Sequence, residues 1–192
     1  MKPRDTICLI WLVLIIVLVF SIPYTLHHNP RHNVFCPPDV KIQLERNPLP
    51  SKTEAPIPEG IYQVERIIDG DTIVLEGGYR VRLIGIDCPE KGEPFFEEAT
   101  EMTRSIIAIG DNKVRIEFDG PRLDRYKRIR AMIFVQNPKD TKEEIWLNQV
   151  LVGTGMAISQ LQYQYSHESK LLFAIAEIEA RKKKRGIWKS SP

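Results

Sequence analysis

From Gly60 onward the hydrophobic and polar positions alternate in short blocks, each of which predicts one element. Tyr62, Val64 and Arg66-Ile67-Ile68 predict a first strand. The β-branched runs Thr72 to Glu76 and Tyr79 to Ile86 flank Gly77-Gly78, a two-residue hairpin signal. In Lys113 to Phe118 a period of two puts Val114, Ile116 and Phe118 on one face, and Arg130 to Val135 predicts a further strand. Between these strands the spacing becomes helical. Over Glu97 to Ile109 the residues Ala99, Met102, Ile106 and Ile109 form a stripe, closed by Gly110. Ile145 to Val152 predicts a short helix ended by Gly153 and Gly155. A last helix is expected from His167, capped by Ser166, to Lys184, with Leu171, Leu172, Ile175 and Ile178 facing inward.

The order is three strands, a helix, two strands and two helices, with no internal repeat. Short strands with inserted helices suit a small closed barrel of the OB type. The expected fold class is therefore α+β, mainly β: a five-stranded OB-fold barrel with three helices, over residues 60–192.

The first sixty residues have a different texture. Residues 7–22 carry no charge, and only Ser21 among them is polar apart from the thiol of Cys8. With Pro23 to Leu26 the run reaches the roughly 20 residues a spanning helix needs. Lys2 and Arg4 precede it, and no Ala-x-Ala site follows. Residues 1–26 are thus expected to be a transmembrane signal anchor, or a signal peptide if they are cleaved. The excess of charge at Lys2 and Arg4 over Arg31 puts the remaining chain outside the cytoplasm. The expected location is the cell membrane, or the exterior if the segment is removed. Residues 27–59 hold seven of the fourteen prolines and predict an extended linker. Cys8, Cys36 and Cys88 do not make a disulfide framework, and only an oxidising compartment would favour a Cys36–Cys88 bridge.

A formal net charge of +2 on 192 residues announces no polyanion binder, and its distribution leaves two readings open, a basic patch for a polyanion or a solvated charged loop. Arg122, Arg125, Lys127, Arg128 and Arg130 fall within nine residues, opposed locally by Asp124 alone. Such a patch attracts polyanions even on a nearly neutral chain. Arg82 lies between Val81 and Leu83 in an apolar strand, where an arginine is seldom buried without a partner. Its planar fork suits a phosphate. The hairpin brings Asp71 close to Asp87, and two converging carboxylates can hold a hard divalent cation. Glu90, just beyond Pro89, is a candidate to accept a proton from water or to orient it. Taken singly, Asp69-Gly70-Asp71 is ordinary turn chemistry and Glu90 an ordinary turn glutamate. Their combination points to phosphodiester chemistry. The run from Arg181 to Arg185 leaves two readings open, polyanion attraction or complementation of a helix C-terminus.

Asp69-Gly70-Asp71-Thr72, Arg82 through Glu90, and Asp124-Arg125-Tyr126-Lys127-Arg128 resemble the three motif blocks of the staphylococcal nuclease family, in the same order. The stretch from Ala180 to Trp188 resembles that family's closing helix. The resemblance covers about residues 60–189 and implies an OB-fold enzyme that hydrolyses DNA and RNA with Ca2+. It implies Asp71 and Asp87 as metal carboxylates and the backbone carbonyl of Cys88 as a third ligand. Arg82 and Arg128 would bind the phosphate, and Glu90 would handle the attacking water. Tyr126 would line the nucleotide phosphate and Tyr163 would stack on a base. Single-stranded substrate, 3′-phosphate products and a monomer are implied as well. Two departures stand out. The loop after Glu90 is short, and Lys127 replaces a usual glycine. If that position requires a positive φ, the lysine is strained there and Arg128 is at risk of displacement. The rival expectation is a catalytically inactive, membrane-tethered OB module that binds nucleic acid or protein. Retention of Asp71, Arg82, Asp87, Glu90 and Arg128 argues against it.

Overall fold

β1 (Gly60–Ile67) pairs antiparallel with β2 (Thr72–Leu75), and β2 with β3 (Tyr79–Leu83). The computed structural model in which these strands are seen describes residues 57–137 and 140–190. The expected membrane segment and most of the linker lie outside the described residues. Among the described residues no helix is long and apolar enough to cross a membrane.

β5 (Lys113–Glu117) pairs with the other edge of β1 and with β6 (Ile129–Asn137). β6 then meets β3 in parallel, with Val81 opposite Ile129 and Leu83 opposite Ala131. That last pairing closes five strands into a barrel, as expected for an OB fold. The alternating positions face inward: Ile73, Leu75, Val81, Leu83, Val114, Ile116, Ile129, Ala131 and Ile133 are all buried. α1 (Phe96–Ile109) buries Ala99, Ile106 and Ile107, and ends at Gly110 as its sequence predicts.

Three details differ from the sequence expectations. Leu75 pairs with Tyr79, so the hairpin loop has three residues, Glu76 to Gly78, rather than two. Gly77 and Gly78 both take positive φ there, which is what their lack of a Cβ permits. Ile145 and Trp146 do not begin a helix; they end a further strand, β7 (Asp140–Trp146), which pairs with β6. Their β-branched and aromatic side chains lie opposite Val135 and Phe134, and the rings of Phe134 and Trp146 stack at 5.7 Å. The helix α2 starts afterwards, at Leu147–Gly153.

The last helix, α3 (His167–Lys182), has the predicted Ser166 cap, whose hydroxyl accepts from Ser169 N at 3.2 Å. Its inward face is not the predicted one. Leu171, Ile175 and Ile178 are exposed, whereas Phe173 and Ala180 are buried and Ala176 packs against the core. Small residues win because α2 lies close by; a Cβ on Gly153 would stand 3.9 Å from that of Ala176.

Asn148 in α2 ties this layer to the barrel. Fully buried, it accepts from Ile133 N at 2.9 Å and donates to Ile84 O at 2.9 Å. Asn148→Leu leaves both backbone groups without their partner. It is expected to destabilise the protein by about 2–4 kcal/mol, counting one unpaired group at each end. Urea denaturation checks this, and a loss below about 0.5 kcal/mol would show that both groups find other partners.

Candidate active site

The barrel ends where β3 leaves its partner, and the site is built on that end. Thr72 is in register with Arg82, and Leu83 N donates to Asp71 O at 2.8 Å. Asp71 is thereby fixed beside Arg82. The chain then turns at Gly85, whose φ is 78°, and a Cβ there would lie 2.6 Å from the Phe173 ring. This turn delivers β4 (Ile86–Asp87), which pairs with β8 (Ile158–Ser159). Pairing with Ile158 thus fixes the backbone of Asp87.

Arg82 bridges the two aspartates. Its Nη2 donates to Asp87 Oδ1 at 2.5 Å, and Nη1 forms an ion pair with Asp71 Oδ2 at an angle that makes no hydrogen bond. Asp71 Oδ2 also accepts from Cys88 N at 2.7 Å, and Asp87 Oδ2 accepts from Gln160 Nε2 at 3.2 Å. Asp71 is 5% exposed. Burial pushes its carboxyl up to about 7, against the opposing pull of Arg82 and the Cys88 N–H, with Asp69 and Asp87 adding to the rise.

Arg128 is held differently. Asp124 accepts from Tyr126 N at 2.8 Å and Arg128 N at 2.9 Å through Oδ1, and from Arg128 Nε at 2.7 Å through Oδ2. Burial works against the Asp124 carboxylate, but these hydrogen bonds hold it below its ordinary range. Among the described residues the two terminal nitrogens of Arg128 have no side-chain acceptor. Lys127, between these anchored amides, has φ 61°. The position does require a left-handed backbone, so the strain expected of a lysine is present. It does not displace Arg128, because Asp124 grips the residues on both sides. A left-handed non-glycine residue costs about 1–2 kcal/mol, and a glycine returns about 0.4–1 kcal/mol of that through unfolded-state entropy. Lys127→Gly is therefore expected to leave the protein as stable or up to about 1 kcal/mol more stable. Thermal denaturation checks the sign, and a clear destabilisation would show that the lysine side chain makes a contact worth more than the strain.

Apart from Cys88 and Lys127, which do not line it, these groups border one open cleft of about 700 Å3. Asp71, Arg82, Asp87, Glu90, Tyr126, Arg128 and Tyr163 border it together. Glu90 stands exposed on its rim, its N–H donating to Glu93 Oε2 at 2.7 Å. The cleft also contains Asp69, Asp124, Arg130 and Gln160, to which the sequence reading gave no role at the site. For Asp124 a signal existed: a carboxylate four residues before an arginine, inside a tight turn. Gln160 gave none, since β8 is too short for a period.

The donor set fits a hard cation. Asp71 and Asp87 offer oxygens, and the buried Asp71 carboxylate lacks enough positive charge to stay fully ionised near neutrality. Cys88 does not compete as a soft ligand. Burial, then Asp71, raises its thiol well above the ordinary range, so the sulfur stays protonated. It packs where a Cβ on Gly70 would stand, 2.8 Å away. Cys36, the other half of the possible bridge, lies outside the described residues. No cluster of three or more His, Cys, Asp or Glu side chains suited to a metal occurs among the described residues. A hard cation held here would find few side-chain ligands and would need water for the rest of its oxygen shell.

A family model described as "Staphylococcal nuclease homologue" matches residues 80–190. The chain belongs to the staphylococcal nuclease family. Among its relatives is the Thermonuclease of Staphylococcus hyicus, 28% identical over 158 residues, covering 78% of this chain and 88% of that one. The Thermonuclease of Staphylococcus intermedius is 31% identical over 136 residues, covering 66% and 75%. An uncharacterized endonuclease of Escherichia coli is 31% identical over 129 residues, with the same coverage. The family's barrel with three helices is what the described residues form. The closing basic run is in part structural here. Arg181 pairs with Glu177 and lies 3.6 Å over the Trp188 ring, and Arg185 Nη1 donates to Gly153 O at 2.9 Å.

Proposed function

We propose that this nuclease-family chain is a calcium-dependent endonuclease that hydrolyses phosphodiester bonds of DNA and RNA, favours single strands and leaves 3′-phosphate ends. The observation that carries this reading is the convergence of two arginines, two aspartates and a glutamate on one open cleft. Tyr163, 51% exposed, offers a ring to an unpaired base, which a duplex would not present, and Tyr126, 63% exposed, lines the phosphate beside Arg125 and Arg128.

In this reading Arg128 offers its terminal nitrogens to the scissile phosphate, while Asp124 keeps the guanidinium aimed into the cleft. Arg82, whose terminal nitrogens rest on Asp71 and Asp87, adds its positive charge from β3. Both neutralise charge that grows as a water oxygen bonds to phosphorus and the bond to the 5′ oxygen breaks. Glu90 orients that water or takes its proton. Calcium, when held by Asp71, Asp87 and the Cys88 carbonyl, supplies Lewis-acid charge to the phosphate oxygens. The protein acts as a monomer, and residues 1–26 hold it at the outer face of the membrane or direct its release.

The test is cleavage of denatured DNA by the full-length chain, with calcium and with a chelator, alongside circular dichroism. Calcium-dependent cleavage is expected, and a folded protein that shows none overturns the reading. Glu90→Gln is expected to lower turnover by about 10²- to 10⁴-fold while nucleotide binding persists. Unchanged turnover would remove Glu90 from the chemistry.

A further inference from the structure

Arg130 is a charged residue in the cleft that the reading above leaves without a task. In the parallel pairing of β3 with β6 it stands directly opposite Arg82. Like charges directly opposed across strands destabilise a sheet, and the two arginines are not equally compensated. Arg82 has Asp71 and Asp87. Arg130, among the described residues, has no carboxylate within ion-pair distance, although it is half-buried and burial works against its charge. Its guanidinium lies 5.6 Å over the ring of Tyr163, and its backbone N–H donates to Arg122 O at 2.8 Å. The strand therefore fixes its root and the tyrosine holds its head. What is missing is an anion.

We propose that Arg130, seated on Tyr163, binds the phosphodiester adjacent to the scissile one, so that the cleft takes a chain with at least two consecutive phosphates. Arg82 and Arg128 already serve one phosphate. A third guanidinium in the same cleft, beside a ring suited to a base, is placed to meet the next nucleotide of the same strand. The effect is a preference for internal bonds of a polynucleotide over the lone bond of a dinucleotide. This inference rests on the nuclease reading for its substrate, but its binding test does not.

The experiment uses Arg130→Gln in the full-length chain, with Arg130→Lys as the charge-restoring control. Against a single-stranded oligonucleotide of about a dozen residues and a dinucleotide, the ratio of kcat/KM values is expected to fall about tenfold in Arg130→Gln, the worth of one hydrogen bond to a charged group. Arg130→Lys recovers part of the loss. A ratio that stays at the wild-type value, whether or not both rates fall, overturns the assignment. Separately, with chelator present and no cleavage, the salt slope for binding single-stranded DNA is expected to flatten by about 0.7, one phosphate contact's share. An unchanged slope also overturns it. Should the wild-type chain cleave neither substrate, the nuclease reading fails, and the salt slope still decides whether Arg130 meets a phosphate.

Discussion

Arg82→Lys is expected to lower kcat/KM on denatured DNA by about 10²- to 10³-fold, a loss of roughly 2.7–4 kcal/mol in transition-state stabilisation. The reason is geometric rather than a matter of net charge. The guanidinium spans Asp71 and Asp87 at once, with one terminal nitrogen on each, and lines the cleft. An ammonium is a single point and cannot hold both carboxylates and keep its charge beside the phosphate as the planar guanidinium does. The lysine stem keeps its place between Val81 and Leu83, and the backbone pairing with Thr72 does not involve the side chain. Folding should persist, so circular dichroism and a calcium-dependent thermal shift accompany the kinetics. A variant folded like wild type whose kcat/KM stays within about threefold would remove Arg82 from transition-state stabilisation.

Arg82, Asp71 and Asp87 were legible because their meeting is local. One hairpin and one turn join them, so the register of β2 against β3 is enough to bring them together. The relation of Arg82 to Arg130 was not legible, since it depends on closure of the barrel between strands far apart in the sequence. The same division holds for the fold. Alternation in Lys113–Glu117 named its buried positions, Val114 and Ile116, and a glycine stop and a serine cap marked the ends of α1 and α3. Period two cannot appear in strands of two residues, so the pairing of β4 with β8, which sets Asp87 opposite Ile158, left no trace. In α3, periodicity showed that Leu171, Ile175 and Ile178 share a face but not whether that face docks. Docking went to Phe173, Ala176 and Ala180, whose small members let α2 approach. At Lys127 the sequence raised the right question, and the answer lay in the hydrogen bonds of Asp124 to the residues on either side.

The second large effect concerns stability and has the opposite sign to its effect on activity. Asp71→Asn is expected to abolish calcium-dependent cleavage yet stabilise the calcium-free protein at pH 8 by on the order of 4 kcal/mol. Burial raises the Asp71 carboxyl to about 7 from 3.8, and that position already includes the favourable pull of Arg82. Between these two values the native chain holds a proton that the unfolded chain has lost. Its stability therefore falls as pH rises from about 4 to 7 and levels off above. Asparagine has no charge to desolvate, and its carbonyl can still accept from Cys88 N, so the variant should lack this slope. Urea denaturation with chelator at pH 5 and pH 8 reads both quantities, and calcium should raise the melting temperature of wild type but not of the variant. A variant less stable than wild type at pH 8, or one that keeps the wild-type slope, would show that Asp71 is comfortable as an anion without a cation. The carboxylate would then be a structural partner of Arg82 rather than a ligand kept ready for a metal. The expected result identifies the destabilisation as the cost of holding that ligand in place.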